Sequence, residues 1–238
     1  MAEDRVSLPA LVLMHGANGC AAELEALAVA LRAHARVLVP DLPGHGGRPL
    51  PERLSIEGIA ADVIALLDRE GIERACFVGY SLGGYAALYL ARHHPARTIG
   101  ACAVATKFAI DAETVGRWVY LAQPARLSRP GNPRAGEMLR AHGSDWAKVT
   151  LANAAFFTDL GRSPELTDAD LAAIQRPVLL VNSNRDPLVA WDETVQVATR
   201  VPGARLVMFY GIAHPFRNVP ANPVGRAIGA WVEEVAAA

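Results

Sequence analysis

Short apolar runs alternate along the chain with longer segments in which apolar residues recur at helical spacing. The runs are too short for helices and are apolar nearly throughout, which is typical of strands covered on both faces. The six predicted strands are Leu11–Met14, Arg36–Pro40, Ala75–Gly79, Ile99–Ala105, Val178–Val181 and Leu206–Tyr210. The predicted helices between and after them are Ala21–His34, Ile56–Glu70, Leu82–His93, Asp192–Arg200 and Pro223–Ala237. This alternation predicts an α/β fold, with a mostly parallel six-stranded sheet and helices on both of its faces.

One segment, Thr106–Ile174, breaks the alternation because it contains no convincing strand. Prolines interrupt its short helical patterns, and proline ends or kinks a helix. The segment is also rich in aromatic residues: Phe108, Trp118, Tyr120, Trp146, Phe156 and Phe157. We therefore expect residues 106–174 to be a helical insertion in a single α/β core formed by residues 1–105 and 175–238.

The length and composition agree with one large domain that carries an insertion. The chain has 238 residues, of which 52% are hydrophobic and 20% are charged, and this excludes a largely disordered protein. The 23 Lys and Arg residues nearly balance 24 Asp and Glu residues, for a formal charge of −1. A general nucleic-acid binder or a protein of acidic membranes takes its affinity from a basic surface, so neither class is expected.

The cysteines and the start of the chain indicate where the protein works. Cys20, Cys76 and Cys102 are odd in number and widely spaced, which favours a reducing compartment over a disulfide framework. The first residues, Met1–Arg5, are acidic and no apolar segment follows them before the first strand, so no signal peptide is expected. No apolar run reaches the ~20 residues that span a bilayer. We expect a soluble cytoplasmic protein, monomeric or homodimeric, that binds neither nucleic acid nor membrane.

The sharpest chemical motif is Gly79-Tyr80-Ser81-Leu82-Gly83, at the junction between a predicted strand and a predicted helix. A serine on such a tight turn has an exposed hydroxyl, and glycines are needed beside it because a Cβ would clash with neighbouring elements. The N-terminus of the following helix also favours the negative charge that develops during attack. The pattern alone is common, but its position favours Ser81 as a nucleophile over a plain glycine-rich turn.

A serine hydroxyl needs a base that takes its proton and an acid that orients the base. His214 follows the last predicted strand, where a strand-end loop would carry it to the same edge of the sheet as Ser81. The other histidines lie near helix ends, in the insertion or in early loops: His34, His93, His94, His142, His15 and His45. We therefore expect His214 to be the base.

The acid is expected to follow a strand and to precede the histidine in sequence. Asp186 meets both conditions, because it follows Val178–Val181 and comes before His214. Its neighbour Pro187 also fits the start of a helix that Asp186 would cap, and the two roles are compatible. Asp111 is the alternative acid, but the order Ser, Asp, His favours Asp186.

Metal and nucleotide sites are not expected. His93 and His94 are adjacent and so point in different directions on a helix, and no Cys or His cluster has the spacing of metal ligands. The glycine-rich turn at Gly79–Gly84 lacks the lysine and the spacing of a phosphate-binding loop. The sequence thus predicts no cofactor.

Taken together, five motifs resemble the α/β-hydrolase superfamily, and the likeness covers most of the chain outside the insertion. The motifs are Leu13–Ala17, Asp41–Gly46, Gly79–Gly83, the Asp186 turn and the His214 turn. The resemblance implies a serine-nucleophile enzyme of the esterase-like branch with a cap. The dehalogenase branch is disfavoured because it has aspartate where this chain has Ser81.

Further site residues follow from the resemblance alone. In members with the His-Gly loop, the residue after the glycine and the residue after the nucleophile each give a backbone N–H to the oxyanion hole, which implies Ala17 and Leu82 here. His15 would shape that loop, and His45 would belong to a structural turn. Many members begin with an antiparallel strand pair, but too few residues precede Leu11 for such a hairpin. The sheet is therefore expected to be trimmed at that edge.

Insertions at this place in the superfamily usually form a cap over the nucleophile. A lid that excludes water would use apolar side chains, so Trp118, Phe156 and Phe157, with Tyr80 of the motif, are candidates for substrate binding. The cap aromatics could equally form the cap's own small core. The first half of the insertion also carries arginines that could hold an acidic acyl group or be solvated: Arg117, Arg126, Arg129, Arg134 and Arg140.

The leading hypothesis is a serine hydrolase that cleaves small carboxylic esters, with thioesters or lactones as related substrates, through an acyl-enzyme. Ser81 would attack, His214 would shuttle the proton and Asp186 would orient His214. One alternative is C–C bond hydrolysis or a lyase step by the same triad, as in some capped members of the superfamily. Another is a ligand-binding module that has the fold without turnover, against which the intact Ser-His-Asp set counts.

Overall fold

The structure is a computed structural model that describes residues 8–214 and 216–238. The expectation of no signal peptide concerns Met1–Arg5, which lie outside the described residues. Pro215, beside the predicted base His214, also lies outside them. Among the described residues, no helix is long and apolar enough to cross a membrane.

A parallel sheet forms the centre of the molecule. Within the described residues its six strands are β1 (Ala10–Met14), β2 (Arg36–Leu38), β3 (Ala75–Tyr80), β4 (Thr98–Val104), β5 (Val178–Ser183) and β6 (Arg205–Phe209). They lie in the order β2-β1-β3-β4-β5-β6, and every neighbouring pair is parallel. The predicted fold class is confirmed, and each strand matches a predicted one to within about two residues at either end.

Helices cover both faces of this sheet. The core helices are α1 (Glu25–Leu31), α2 (Ile56–Arg69), α3 (Leu82–His93), α9 (Trp191–Arg200) and α10 (Ala221–Ala237). Alternate residues of β1 point to opposite faces: Leu11 and Leu13 pack with α1 and α10, whereas Val12 and Met14 pack with α2 and α3. Burial on both faces explains why these strands are apolar nearly throughout.

The segment between β4 and β5 consists of helices joined by loops, with no strand among its described residues. It contains α4 (Ala112–Leu121), α5 (Pro124–Leu127), α6 (Pro133–His142), α7 (Trp146–Arg162) and α8 (Asp168–Ala172). Its apolar residues Ile110, Leu160 and Leu171 belong to the same hydrophobic cluster as the core helices α2 and α3. The insertion therefore packs directly on the core, while its division from the core as a separate cap stays a prediction.

The strand order reverses between β1 and β3, since the chain runs from β1 outward to β2 and then returns to the other side of β1. In open parallel sheets, ligands bind beyond the carboxyl ends of the strands at such a reversal. The loop after Met14 and the turn after Tyr80 meet at this place, which makes it the expected position of a functional site.

Candidate active site

Ser81 occupies a strained turn between β3 and α3. Its backbone angles are φ 51° and ψ −114°, a conformation that costs a non-glycine residue on the order of 1–3 kcal/mol and is found mostly at functional sites. The turn is held from both sides, because the Ser81 N–H donates to the Val104 carbonyl at 2.8 Å and the Thr106 hydroxyl donates to the Ser81 carbonyl at 3.1 Å. The Ser81 side chain does not cap the helix.

The flanking glycines are required by close backbone contacts. A Cβ at Gly79 would overlap the backbone of Gly83 across the turn. A Cβ at Gly83 would lie 2.8 Å from the His15 carbonyl oxygen and still closer to that of Met14. The start of α3 therefore rests directly on the end of β1, which brings the loop after β1 beside Ser81.

His214 and Asp186 form a close pair in the loops that follow β6 and β5. His214 Nδ1 lies 2.7 Å from Asp186 Oδ2, and the two side chains are only 11% and 3% exposed. Asp186 Oδ1 accepts hydrogen bonds from the Leu188 and Val189 amides at 2.8 and 3.0 Å. Asp186 thus organises its own turn with one oxygen and holds the imidazole with the other, while α9 begins later, at Trp191.

Ser81 and His214 line the same cavity, but no hydrogen bond joins them among the contacts of the described residues. Nucleophile–base hydrogen bonds are often long in unliganded enzymes and tighten only with substrate. The structure therefore brings the three predicted residues to one edge of the sheet, with the pair His214–Asp186 formed and the contact to Ser81 still open.

The predicted oxyanion donors lie on the two elements that flank Ser81. A Cβ placed on Gly16 would be 3.3 Å from Ser81 Cβ, so the loop that carries Ala17 runs next to the serine. Leu82 is the first residue of α3. Within the described part of the chain, neither the Ala17 nor the Leu82 amide donates to a protein acceptor, so both remain free to bind an oxygen of a substrate.

A chain of three buried histidines supports the loop after β1. His15 donates from Nδ1 to the Gly16 carbonyl at 2.8 Å and accepts from the Leu42 amide at 3.0 Å. His45 donates from Nδ1 to the Pro43 carbonyl at 2.9 Å. Burial lowers the pKa of His15 to about 4 and that of His45 to about 3. Both rings are therefore neutral near pH 7 and act as fixed hydrogen-bonding groups rather than as bases.

The third histidine, His142 of α6, ties the insertion to this loop. Its Nε2 donates to the Asn18 carbonyl at 3.1 Å, and its Nδ1 accepts from the Gly46 amide at 3.2 Å. Asn153 of α7 donates to the Asn18 side chain at 3.2 Å and lies 3.0 Å from His45 Nε2. Asn18 has a positive φ of 59°, and these contacts hold it there.

The cavity above Ser81 has a volume of about 480 Å³ and is lined by both the core and the insertion. Its apolar wall from the insertion consists of Trp118, Leu121, Ala122, Leu127, Met138 and Phe157. Tyr80 also lines it, with its ring centroid 4.9 Å from that of His214 and 5.0 Å from that of Phe216. Three of the four predicted substrate-binding side chains, Tyr80, Trp118 and Phe157, therefore face the cavity.

The fourth candidate, Phe156, lies elsewhere. It is 3% exposed and belongs to the hydrophobic cluster beneath the insertion rather than to the cavity lining. The reason is helical geometry, because adjacent residues of α7 point about 100° apart. Phe157 contacts Trp118 with a centroid separation of 4.3 Å, and Phe156 faces the core instead.

The remaining chemical groups are placed apart from Ser81. Asp111, the alternative acid, caps α4 by accepting the Thr114 amide at 2.8 Å, and hydrogen bonding by the Thr114 side chain and amide lowers the pKa of the Asp111 carboxyl. No group of three or more His, Cys, Asp or Glu side chains in the described residues could hold a metal ion.

Three further residues line the cavity that were not predicted from the sequence, namely Glu23, Asn18 and Arg217. Asn18 alone left a sequence clue, since it stands between Ala17 and Gly19 in a predicted loop.

The geometry can be compared with known proteins. The family model for the alpha/beta hydrolase family matches residues 11–222. The chain belongs to the α/β hydrolase family. The resemblance read from the motifs is thereby confirmed, and so is the expectation of a hydrolase enzyme.

Relatives in this family differ in the activity for which they are named. A pimeloyl-[acyl-carrier protein] methyl ester esterase from Aromatoleum aromaticum is 30% identical over 89% of this chain and 94% of its own length. A magnesium-chelatase 30 kDa subunit from Rhodobacter capsulatus is 27% identical over 94% of this chain and 87% of its own. Among solved structures, a thermophilic esterase from Thermogutta terrifontis with bound malate covers 96% of this chain and 91% of its own, with 24% identity and a TM-score of 0.78. The last likeness shows the shared fold.

Proposed function

We propose that this α/β hydrolase is a carboxylic ester hydrolase for small-molecule substrates, with Ser81 as nucleophile, His214 as base and Asp186 as the acid that orients His214. The observation that carries the proposal is the His214–Asp186 pair at 2.7 Å, on the same cavity as the strained Ser81 turn. The similarity to a methyl ester esterase at 30% identity supports the choice of an ester as the substrate.

In the first half-reaction, the Ser81 oxygen attacks the ester carbonyl while His214 Nε2 takes the hydroxyl proton. The negative charge that forms on the carbonyl oxygen is held by the free amides of Ala17 and Leu82 and by the N-terminus of α3. His214 then gives its proton to the departing alcohol oxygen. The C–O bond of the ester breaks, and the acyl group stays on Ser81.

In the second half-reaction, water replaces the alcohol. His214 takes a proton from this water, the hydroxide attacks the acyl carbonyl and the proton passes to the Ser81 oxygen as it leaves. Asp186 holds the Nδ1–H of His214 and stabilises the imidazolium that forms twice in each turnover. The carboxylic acid product and the free serine result.

The insertion acts in this proposal as a cap, residues 106–174, that covers the serine. Trp118 and Phe157 supply an apolar wall, which excludes bulk water and strengthens the electrostatic contacts at the reacting carbonyl. Tyr80 packs against His214 and restricts the orientation of the imidazole ring. Burial raises the pKa of its phenol, so the Tyr80 hydroxyl keeps its proton and Tyr80 serves as packing rather than as a general acid.

Labelling with a fluorophosphonate probe tests the proposal, because such probes react only with an activated serine. We expect the native protein to be labelled and to hydrolyse p-nitrophenyl acetate or butyrate, and both properties to be lost in Ser81→Ala. The control is Ser163→Ala, which removes an exposed hydroxyl outside the cavity and should leave labelling unchanged.

Absence of labelling in protein with a native circular dichroism spectrum would contradict the proposal. So would ester binding without release of alcohol or acid over several hours, the behaviour of a binding module. Turnover of a vinylogous 1,5-diketone in preference to every ester tested would instead indicate C–C bond hydrolysis by the same residues.

A further inference from the structure

The cavity of Ser81 has a charged end that the proposed ester chemistry does not use. Three arginines line it, Arg126 and Arg134 from the insertion and Arg217 from the segment after His214, together with one acid, Glu23. The side chains of Arg134 and Arg217 are 38% and 55% exposed, so these guanidinium groups line the cavity where it meets solvent. The partners of these arginines decide what this end of the cavity can bind.

Two of the arginines share one carboxylate at long distances. Glu137 lies 3.5 Å from Arg134 Nη1 and 3.4 Å from Arg217 Nη1. A close bidentate pair elsewhere in the chain, Arg48 with Asp62, has both N–O distances at 2.7 Å. The Glu137 carboxylate thus sits loosely between two guanidinium groups, and each of them keeps donors that could bind a closer anion.

Arg126 is paired with a neutral group. Its Nη1 donates to the Tyr120 hydroxyl at 2.5 Å, and its guanidinium lies 4.3 Å from the centroid of the Tyr120 ring. Stacking on an aromatic ring fixes the direction of the guanidinium without neutralising its charge. Among the described residues, Arg126 forms no ion pair with a carboxylate.

Glu23 offsets this charge only in part. Burial raises the pKa of the Glu23 carboxyl, Glu137 adds to the increase, and Arg134 and Arg217 oppose it. The four groups therefore share one electrostatic environment. The cavity lining holds the three arginines and Glu23, and Glu137 contacts Arg134 and Arg217 from outside the lining, so these five groups together carry one more positive than negative charge.

We infer that the cluster Arg126, Arg134 and Arg217 binds a carboxylate of the substrate, so that the preferred esters are monoesters of dicarboxylic acids. The inference rests on the proposed ester hydrolysis at Ser81. The carboxylate would displace Glu137 from its long contacts and form charge-assisted hydrogen bonds with the guanidinium groups. A single carboxylate matches the one excess positive charge, whereas a phosphate dianion would exceed it.

The apolar part of the cavity lining suits such a substrate. The apolar side chains Leu121, Leu127 and Met138 line the cavity together with the arginines, and a methylene chain between the ester and the acid would pack on them. An acidic substrate would therefore place its ester carbonyl at Ser81, its methylene groups on the apolar wall and its free carboxylate at the arginines.

The test compares two esters of equal chain length, monomethyl adipate and methyl hexanoate, by kcat/KM. We expect the native protein to prefer the acidic ester by about tenfold or more, the effect of one charge-assisted hydrogen bond. The ratio should fall about tenfold in Arg134→Gln and in Arg217→Gln, mainly through KM. Arg134→Lys keeps the charge and should retain part of the preference. Arg140→Gln, on the same helix but outside the cavity, should leave the ratio unchanged.

The outcomes separate this inference from the proposed function. If Ser81 is labelled and both esters are hydrolysed at equal kcat/KM, the ester hydrolase stands and the carboxylate subsite is refuted. If the preference survives in the double variant Arg134→Gln, Arg217→Gln, the subsite lies elsewhere and the inference is also refuted. If no ester is cleaved and Ser81 is not labelled, the proposed function itself fails. Thermal unfolding of each variant shows whether a lost preference merely reflects a misfolded protein.

Discussion

Replacing Asp186 by asparagine separates the two roles of its carboxylate, which holds the turn after β5 and orients His214. In the native protein, Oδ1 accepts the Leu188 and Val189 amides, and Oδ2 lies 2.7 Å from His214 Nδ1. In Asp186→Asn the amide oxygen still satisfies the turn, so the NH₂ group must face His214. The imidazole then has to accept at Nδ1 and carries its proton on Nε2, on the side of Ser81. In this tautomer it cannot take the serine proton.

The structure sets the magnitude expected for activity and for stability. The wrong tautomer costs about 10⁴ in kcat in serine proteases with this geometry, equivalent to about 5 kcal/mol of transition-state stabilisation. The turn is retained in Asp186→Asn, so the free energy of unfolding should change by less than about 1 kcal/mol. Asp186→Ala removes two turn hydrogen bonds of roughly 1 kcal/mol each and should lower Tm by about 4–8 °C in a protein of this size.

The assay measures kcat for p-nitrophenyl butyrate and Tm by circular dichroism on the same preparations. Asp111→Asn is the matched control, since Asp111 caps an exposed helix end and should affect kcat by less than about twofold. We expect Asp186→Asn to lose activity with an almost native Tm, and Asp186→Ala to lose both. If Asp186→Asn keeps more than a tenth of the native kcat, or if Asp111→Asn loses it instead, the assignment of the acid is wrong.

Three further predictions follow from contacts around the site. Gly79→Ala should destabilise the protein by about 3 kcal/mol or more in urea unfolding, because the new methyl group overlaps backbone atoms; an unchanged midpoint would contradict this. In the folded protein the pKa of His15 is lowered to about 4 and that of His45 to about 3, so as the pH falls the unfolded chain binds protons at these residues before the folded protein does. The free energy of unfolding should therefore fall below pH 6.5 by about 1.4 kcal/mol per pH unit for each histidine, until the pH reaches the pKa of that histidine in the folded protein. A free energy of unfolding that stays constant between pH 6.5 and 4 would refute this prediction. Glu193→Ala leaves Lys107 without its carboxylate partner and frees two amides at the start of the insertion, so Tm should drop by several degrees and KM should rise, which unaltered ester kinetics would disprove.

The strands and most core helices could be predicted because their determinants are local. Helix α2 illustrates this: Ser55 accepts the Gly58 amide at 3.0 Å, and Gly71 takes a positive φ of 64° after the last turn. Helix α1 shows the limit of local information. A single helix is predicted for Ala21–His34, but a 3-10 turn covers Ala21–Leu24 before α1 begins, and the Ala21 amide donates to distant Asp41 at 2.7 Å.

The positions of the candidate catalytic residues could be inferred because parallel strands end at one edge of the sheet. Ser81, Asp186 and His214 all follow strands, so topology alone brings them near each other. The charged end of the cavity could be inferred only in part, since Arg126 and Arg134 stand among the insertion arginines named as candidates to hold an acidic acyl group. Glu23 and Arg217 come from distant parts of the chain, and only the folded structure brings them to Arg134.

The choice between Phe156 and Phe157 shows a different limit. Both are aromatic and lie on α7. One side of this helix packs on the hydrophobic core, and another side lines the mostly apolar wall of the cavity. Hydrophobic periodicity assigns a helix its buried face only where the other face is solvated. A helix between two apolar environments has no such contrast, so the sequence could not distinguish the two rings.

The direct pairing of β4 with β5 has a consequence for how the enzyme could change its substrate. Ala101–Val104 pair with Val178–Val181, so the whole helical insertion leaves and re-enters the sheet between two neighbouring strands. The entropy of closing such a loop rises only logarithmically with length, about 0.6 kcal/mol for each doubling. A longer or shorter insertion therefore changes the cost of chain closure very little, provided that the side chains that pack on the core are kept, while the strand ends that carry Ser81, Asp186 and His214 keep their register.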